Sequence, residues 1–158
     1  PLWSRGLGDV YKRQGFSESQ LDVRKVLSID TNQNVASYVH CRTPFSTDQF
    51  ACLIDSGAQA SLLNLACIPK NFLEHIADTN VKIKGVGGDS LCVKGVLETE
   101  LTFSPETTIK HPFYVVQGMV EDLIIGRDFM AQNQCTLSFS DLSFSVGDLK
   151  LALSLIHI

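Results

Sequence analysis

The sequence lacks the features that mark several large classes of protein. It contains no run of about 18 apolar residues, which a membrane-spanning helix needs. Lys and Arg form no cluster and the formal net charge is -4, so we expect no nucleic-acid-binding face. None of the five cysteines forms a C-x-x-C pair, which argues against a zinc site and a disulfide framework. We therefore expect reduced thiols, a cytoplasmic location and no membrane contact.

The 158 residues are 44% apolar and 19% charged, which is typical of one globular domain. Residues 1–14 (PLWSRGLGDVYKRQ) show no periodicity and resemble translated sequencing-adaptor sequence. The final LSLIHI has the same character, so we expect both ends to be non-native. We expect residues 15–47 to form a linker and the first strands, residues 48–146 to form the folded domain, and residues 147–158 to form a C-terminal tail.

Between these ends the sequence alternates between short β-type runs and turn residues. Strands are predicted where β-branched and aromatic residues alternate with polar ones. The predicted strands are LDVRKVLSID (21–30), VASYVHCR (35–42), DQFACLID (48–55), VKI (81–83), SLCVKGVLETELTF (90–103), HPFYVVQG (111–118), CTLSF (135–139) and LSFSV (142–146). A helix-compatible stretch follows Gly126, and residues 68–76 have room for a helical turn. Many strands with one short helix near the C-terminus indicate an all-β domain.

The most distinctive local feature is ACLIDSGA (51–58), an apolar strand that ends in Asp55, Ser56, Gly57 and Ala58. A carboxylate at the end of a buried strand is costly to ionise unless hydrogen bonds compensate for the lost water. Such a carboxylate favours a functional role. Taken alone, the same pattern is equally typical of a tight turn.

Two further segments carry candidate functional residues. KGVGGD (84–89) places a glycine-rich tip between two predicted strands, which is typical of a mobile hairpin over a site and equally of a plain hairpin. DLIIGRDFM (122–130) is an apolar run that leads through a glycine into a helix start, which alone indicates core and a helix cap.

Together and in this order, the three segments resemble the retropepsins, the single-domain aspartic proteases of retroviruses and LTR retrotransposons. The resemblance covers residues 48–139 and implies a closed or orthogonal β-barrel. It implies that Asp55 is catalytic, within an active-site loop of Ser56, Gly57 and Ala58. It also implies a flap of Gly85, Val86, Gly87 and Gly88, a supporting loop of Ile125, Gly126, Arg127 and Asp128, and neither a metal nor a cofactor.

The chain contains a single Asp-Ser-Gly, so the resemblance implies a symmetric homodimer in which each copy supplies one Asp55. The substrate would be an extended peptide or polyprotein bound as an added strand. Its expected pocket walls are mostly apolar, which favours apolar residues beside the cleaved bond: Ala58, Ala60, Leu62, Val86 and Val116.

The sequence departs from the family pattern at several positions. Ser56 stands where retroviral members usually have Thr, which keeps the hydroxyl. Gln59 stands where many viral members have an acid, so Arg127 is expected to lack its usual carboxylate partner. The chain continues past Phe139, and we expect a C-terminal hairpin at the dimer interface.

Four alternatives stay open. The chain is either a retroelement protease that processes a Gag-Pol polyprotein, in the cell or within virus-like particles, or a domesticated host protease. It could instead be a catalytically silent module for dimerisation or peptide binding. A phosphodegron at Asp55-Ser56-Gly57 is disfavoured, because the motif follows four apolar residues. The four histidines show no metal-ligand spacing and are expected at the surface or at strand ends, and Cys52 and Cys92 are expected to pack as small apolar side chains.

Overall fold

The structure is a computed structural model that describes residues 35–157. The predictions of a non-native segment at 1–14 and a strand at 21–30 lie outside the described residues. No helix in the described part of the chain is long and apolar enough to cross a membrane.

The described residues form ten strands, one α-helix and two short 3-10 helices. The strands are β1 (Val35–Thr43), β2 (Ser46–Ile54), β3 (Leu62–Asn64), β4 (Cys92–Ser104), β5 (Thr107–Gln117), β6 (Leu123–Ile125), β7 (Cys135–Ser138), β8 (Ser143–Val146), β9 (Leu149–Ala152) and β10 (Ser154–His157). The α-helix α1 spans Arg127–Gln132, and the 3-10 helices span Leu65–Cys67 and Lys70–His75.

Six of the strands close into a barrel. Their order is β1-β2-β6-β3-β5-β4, and β4 returns to β1 where Thr102 pairs with Arg42. Closure leaves these strands without a free edge within the ring. The all-β, closed-barrel prediction is confirmed, and so is the single short helix near the C-terminus.

The barrel core follows from the alternation of side chains along each strand. On β4, Leu97, Thr99 and Leu101 are buried, whereas Glu98 and Glu100 between them are exposed. Successive side chains of a strand point to opposite faces, so this pattern directs every second residue into the core. On β5 the same rule buries His111, Phe113 and Val115.

The predicted strand at 81–83 is wrong. Residues 81–83 belong to no strand, and only an isolated bridge joins Lys84 to Ser90 beyond them. The strand after the glycine-rich tip starts at Cys92. The VKI segment has β-type composition, but it has no neighbouring strand along its length within the described residues.

Beyond β7 the chain forms a small three-stranded sheet in the order β7-β8-β9. The predicted hairpin of CTLSF and LSFSV is therefore present as β7 and β8. Residues 147–158, which the sequence assigned to a tail, contain β9 and β10, and β10 pairs antiparallel with the first half of β1. The boundaries of the domain and the origin of the two ends stay predictions.

Candidate active site

Asp55 lies directly after β2, at the carboxyl end of a parallel strand pair. Cys52 pairs with Leu123 and Ile54 with Ile125, so β2 and β6 end side by side. The Asp55 N–H extends this pairing, because it donates to the Ile125 carbonyl at 3.0 Å. The catalytic candidate is thus fixed through its backbone to the end of β6.

The carboxylate of Asp55 shapes the turn that follows. Its Oδ1 accepts a hydrogen bond from the Gly57 N–H at 2.9 Å, and its carbonyl accepts one from the Ala58 N–H at 3.1 Å. These are the bonds of an Asx-type turn. The Asp55 side chain stays partly accessible and Ser56 is exposed, so the turn presents both groups at the surface of the single chain.

The predicted supporting loop packs directly against the active-site loop. The Arg127 N–H donates to the Ala58 carbonyl at 2.9 Å, and the Asp128 N–H donates to the Gln59 carbonyl at 3.3 Å. A Cβ atom at Gly126 would lie 2.7 Å from the Ala60 carbonyl oxygen, which is too close for any side chain. Glycine is therefore required here by the close approach of two backbones.

A polar network of Ser61, His111 and Asp128 links the two loops to β5. Asp128 Oδ1 accepts hydrogen bonds from the Ser61 hydroxyl at 2.6 Å and the Phe129 N–H at 2.7 Å. Asp128 Oδ2 lies 3.1 Å from Nε2 of His111. Burial alone would raise the pKa of Asp128, but the hydrogen bonds from His111, Ser61 and Phe129 outweigh it and lower the pKa.

Sequence reasoning missed two members of this network. His111 is 1% exposed and lies in the middle of β5, so its predicted place at the surface or at a strand end is wrong, and Ser61 was not singled out. Their partner Asp128 is 17 residues from His111 and 67 from Ser61 along the chain, so no local spacing could reveal the contact. An alternating apolar pattern on β5 that includes His111 was the one available signal.

Arg127 has no carboxylate partner in the described part of the chain. Its Nε is buried without a hydrogen-bond partner, and no ion pair involves its guanidinium. Gln59 follows the active-site loop, and its carbonyl accepts a hydrogen bond from the Asp128 N–H. That Gln59 leaves Arg127 without the family's usual acid stays a prediction.

The predicted flap is a narrow turn at the end of residues 77–84, an irregular segment that we call the arm. The Gly88 N–H donates to the Gly85 carbonyl at 3.0 Å, and the Gly85 N–H donates to the Asp89 carbonyl at 2.8 Å. Val86 is 86% exposed at the tip. An apolar side chain this exposed in a single chain is available for contact with another molecule.

The predicted pocket walls differ in the surface that they offer. Ala58 and Ala60 are half-buried beside Asp55 and Val86 is exposed, whereas Leu62 and Val116 are 7% and 1% exposed. Val116 therefore presents almost no surface to a ligand in the single chain. Which of these residues contact a peptide stays a prediction. Among residues 35–157 no cluster of His, Cys, Asp and Glu has the grouping of a metal site.

Comparisons with known proteins extend these observations. A match to the retroviral aspartyl protease family spans residues 24–138, which includes the active-site loop, the flap and the supporting loop. The retroviral protease-like domain of Ddi1 from Leishmania major is similar in structure, with a TM-score of 0.58 and 22% identity. That similarity covers 75% of this chain and 94% of the other, and it shows the shared fold. EIAV protease complexed with the inhibitor HBY-793 matches with a TM-score of 0.46 and 22% identity over 69% of this chain and 98% of the other.

Proposed function

Because the chain belongs to the retroviral aspartyl protease family, we propose that it is an aspartic endopeptidase that acts as a homodimer. The observation that carries the proposal is the Asp55 turn. Asp55 follows a core strand and remains partly accessible, its N–H donates to the Ile125 carbonyl, and its carboxylate accepts the Gly57 N–H. Both loops that hold it lie within the residues that match the family.

The chemistry requires two carboxylates about 3 Å apart that share one proton. One carboxylate takes a proton from water as the water attacks the peptide carbonyl, and the protonated carboxyl donates to the developing oxyanion. The chain has one Asp-Ser-Gly, so the second carboxylate comes from Asp55 of a second copy. Ser56 of each copy would hydrogen-bond across the two-fold axis and hold the pair in place.

The proposed substrate is an extended segment of a polyprotein. It would lie between Asp55 and the flap tip at Val86 and pair with backbone groups as an added strand, with Gly57 as one acceptor. Such an enzyme of a retroelement would cleave its own Gag-Pol polyprotein, in the cytoplasm or within virus-like particles. A domesticated host protease would use the same site on other proteins.

We assign the contacts between copies to the C-terminal hairpin. β8 and β9 form an antiparallel pair beyond the barrel, next to β7. Phe139 and Leu142, in the connection between β7 and β8, are 70% and 42% exposed. Apolar side chains at this exposure would gain from burial against a second copy.

The first experiment is cleavage of a proteome-derived peptide library by the full chain between about pH 4 and 7, a range that starts below the upper apparent pKa of about 4.7 known for the pepsin dyad. We expect cleavage that pepstatin inhibits and that Asp55→Asn abolishes. Asp48→Asn is the matched control, because Asp48 is an exposed carboxylate on the strand that leads to Asp55. Cleavage that survives Asp55→Asn contradicts the assignment.

A folded wild-type dimer that cleaves no peptide would contradict the endopeptidase proposal. That outcome would favour the silent module for dimerisation or peptide binding. A silent monomer would instead contradict the proposed dimer.

A further inference from the structure

The proposed mechanism leaves the buried imidazole of His111 unused. His111 lies on β5, and its ring packs edge-on against Phe113 and Phe129 at centroid distances of 5.2 and 5.1 Å. Nδ1 is buried without a hydrogen-bond partner, whereas Nε2 faces Asp128. If this side chain served only to fill the core, an apolar ring would stabilise the fold more, because the buried polar atoms of histidine carry a desolvation cost.

The hydrogen atoms of the network have one consistent arrangement. An ionised carboxylate accepts hydrogen bonds only, so the hydrogen of the 3.1 Å contact belongs to Nε2 of His111. The single hydrogen of Ser61 Oγ is likewise given to Asp128, at 2.6 Å. Ser61 Oγ then accepts the Gly126 N–H at 2.9 Å. With the Asp128 carboxylate ionised, each of these three donors has one acceptor.

This network reaches the backbone of the catalytic residue. Gly126 follows Ile125, whose carbonyl holds the Asp55 N–H, and it contacts the backbone of Ala60. The Asp128 carboxylate links the supporting loop to His111 on β5 and to Ser61, which follows the active-site loop. His111 contacts Oδ2, whereas Ser61 and Phe129 also donate to the carboxylate, so His111 helps to fix the plane in which Oδ1 faces Ser61.

We propose that His111 is a positioning residue that acts through Asp128 and Ser61 to hold the Asp55 loop against Gly126 in its catalytic geometry. The inference rests on the proposed peptidase function. His111 does not touch the substrate. His111 acts on the placement of Asp55, so its loss should slow the chemical step rather than weaken substrate binding.

The test compares two substitutions of His111 in the full-length chain. His111→Phe keeps a ring against Phe113 and Phe129 and removes the donor. His111→Gln keeps a side-chain N–H that can reach Asp128. We expect His111→Phe to lower kcat about tenfold or more while KM changes by about twofold or less, because misplacement of a catalytic group acts on the reaction step. His111→Gln should restore most of the lost kcat.

A stability control separates positioning from general loosening. Val115→Ala removes volume from the core on the same strand, and Val115 has no hydrogen bond to the network. It should lower the thermal unfolding midpoint and leave kcat near the wild-type value at a temperature where the protein stays folded. A fall in kcat for Val115→Ala equal to that for His111→Phe overturns the inference.

A second variant keeps the test decisive if His111→Phe does not fold. Ser61→Ala breaks the same network from its other end and should lower kcat with little change in KM. Where both fold, the double variant should lose little more activity than either single variant, since both act through Asp128. Additive losses overturn the inference, and so does a wild-type kcat for Ser61→Ala.

Failure of the inference and failure of the function give different results. A wild-type protein that cleaves no peptide overturns the proposed function, and the positioning role with it. A wild-type protein that cleaves peptides, with a His111→Phe variant that matches it in kcat and KM, overturns the positioning role alone. Hydrogen exchange at the Gly126 amide is an independent readout, since exchange should be faster in His111→Phe than in Val115→Ala.

Discussion

At the residue scale, Asp128 lies outside the Asp-Ser-Gly triplet but makes several of the hydrogen bonds that hold the candidate site together. Its two oxygens accept bonds from a serine, a histidine and a main-chain N–H, and its own N–H donates to the active-site loop. Asp55, Gly126 and Asp128 could be predicted from the sequence, because each lies in a short motif. Ser61 and His111 could not, because only the closed barrel brings them to Asp128.

The lowered pKa of Asp128 predicts a pH-dependent contribution to stability. A carboxyl group whose pKa in the folded state lies below its usual value of 3.8 stabilises the fold fully above that value. The contribution is lost as the pH falls through the pKa of the folded state. We therefore expect Asp128→Asn to lower the free energy of unfolding by about 1–3 kcal/mol at pH 7, the usual range for lost hydrogen bonds to a charged group, which here is partly buried.

Urea denaturation of both proteins at pH 7, 5 and 3, at one protein concentration, measures this difference. The gap between wild type and Asp128→Asn should be constant from pH 7 to 5 and should narrow below about pH 4. The variant Asp48→Asn provides a reference for an exposed carboxylate. A gap that is the same at pH 3 and pH 7 would refute the assigned role of the charge.

The cysteines differ sharply in their environments, which predicts their order of alkylation. Cys41 and Cys52 are buried with their Sγ atoms 3.0 Å apart, and the bond to Cys41 together with burial raises the pKa of Cys52. Burial and Asp122 raise the pKa of Cys67 to about 12, and burial raises that of Cys135 to about 11. Cys92 is exposed, so its predicted packing as a small apolar side chain is wrong.

Thiolate is the reactive form of cysteine, so the native protein should react with iodoacetamide at pH 8 first at Cys92. Peptide mass spectrometry after short exposure measures the site, and all five cysteines of the urea-unfolded chain should react as the positive control. Labelling of Cys52 in the native protein at the rate of Cys92 would show that the core is not closed as described.

At the element scale, the strands that could be predicted are those whose composition shows a pattern over several residues. β1, β2, β4, β5, β7 and β8 overlap their predicted runs, because an alternating or apolar pattern reflects burial within a sheet. β3 and β6 have a neighbour on each side but only three residues each, which is too short for such a pattern. Residues 81–83 have the same composition without the neighbours. The parallel pairing of β2 with β6 joins segments far apart in the chain, and sequence alone does not specify such a register.

The irregular arm before the flap is attached to β4 at a single bulge. Ala77 and Val96 exchange both main-chain hydrogen bonds at 2.8 Å, and Gly95 lies beside them at a shift in register. A Cβ atom at Gly95 would lie 2.4 Å from the Ala77 carbonyl oxygen, and φ there is +152°. The arm can approach β4 only because residue 95 has no side chain.

We predict that Gly95→Ala lowers the free energy of unfolding by about 1–3 kcal/mol or more, the range for overpacking in a tight site. Gly85→Ala is the matched control at the other end of the arm, where a Cβ atom would have ordinary contacts at 3.7 Å. It should change stability by about 0.5 kcal/mol or less. Equal destabilisation of the two variants in urea denaturation would count against the close contact at Gly95.

At the scale of the whole molecule, the proposed function assigns half of an active site to each chain. The described barrel is closed and has a complete core, and it brings one candidate catalytic carboxylate to the surface. The closed all-β fold could be predicted through the resemblance of three ordered motifs. The sequence says less about the proposed contacts between copies, because the residues after Phe139 contain no motif and the resemblance implies only a C-terminal hairpin there.

The composite site predicts how activity responds to an inactive partner. When wild-type and Asp55→Asn chains are unfolded, mixed in equal amounts and refolded together, about a quarter of the dimers should be wild type in both copies. A dimer with one Asn lacks the second carboxylate, so activity per wild-type chain should fall to about half. Refolding with Asp48→Asn chains controls for losses during refolding and should leave the activity of the mixture unchanged. Native mass spectrometry with chains of different mass verifies that mixed dimers form. Full activity per wild-type chain in the presence of mixed dimers would mean that each chain carries a complete site, and the homodimer mechanism would have to be abandoned.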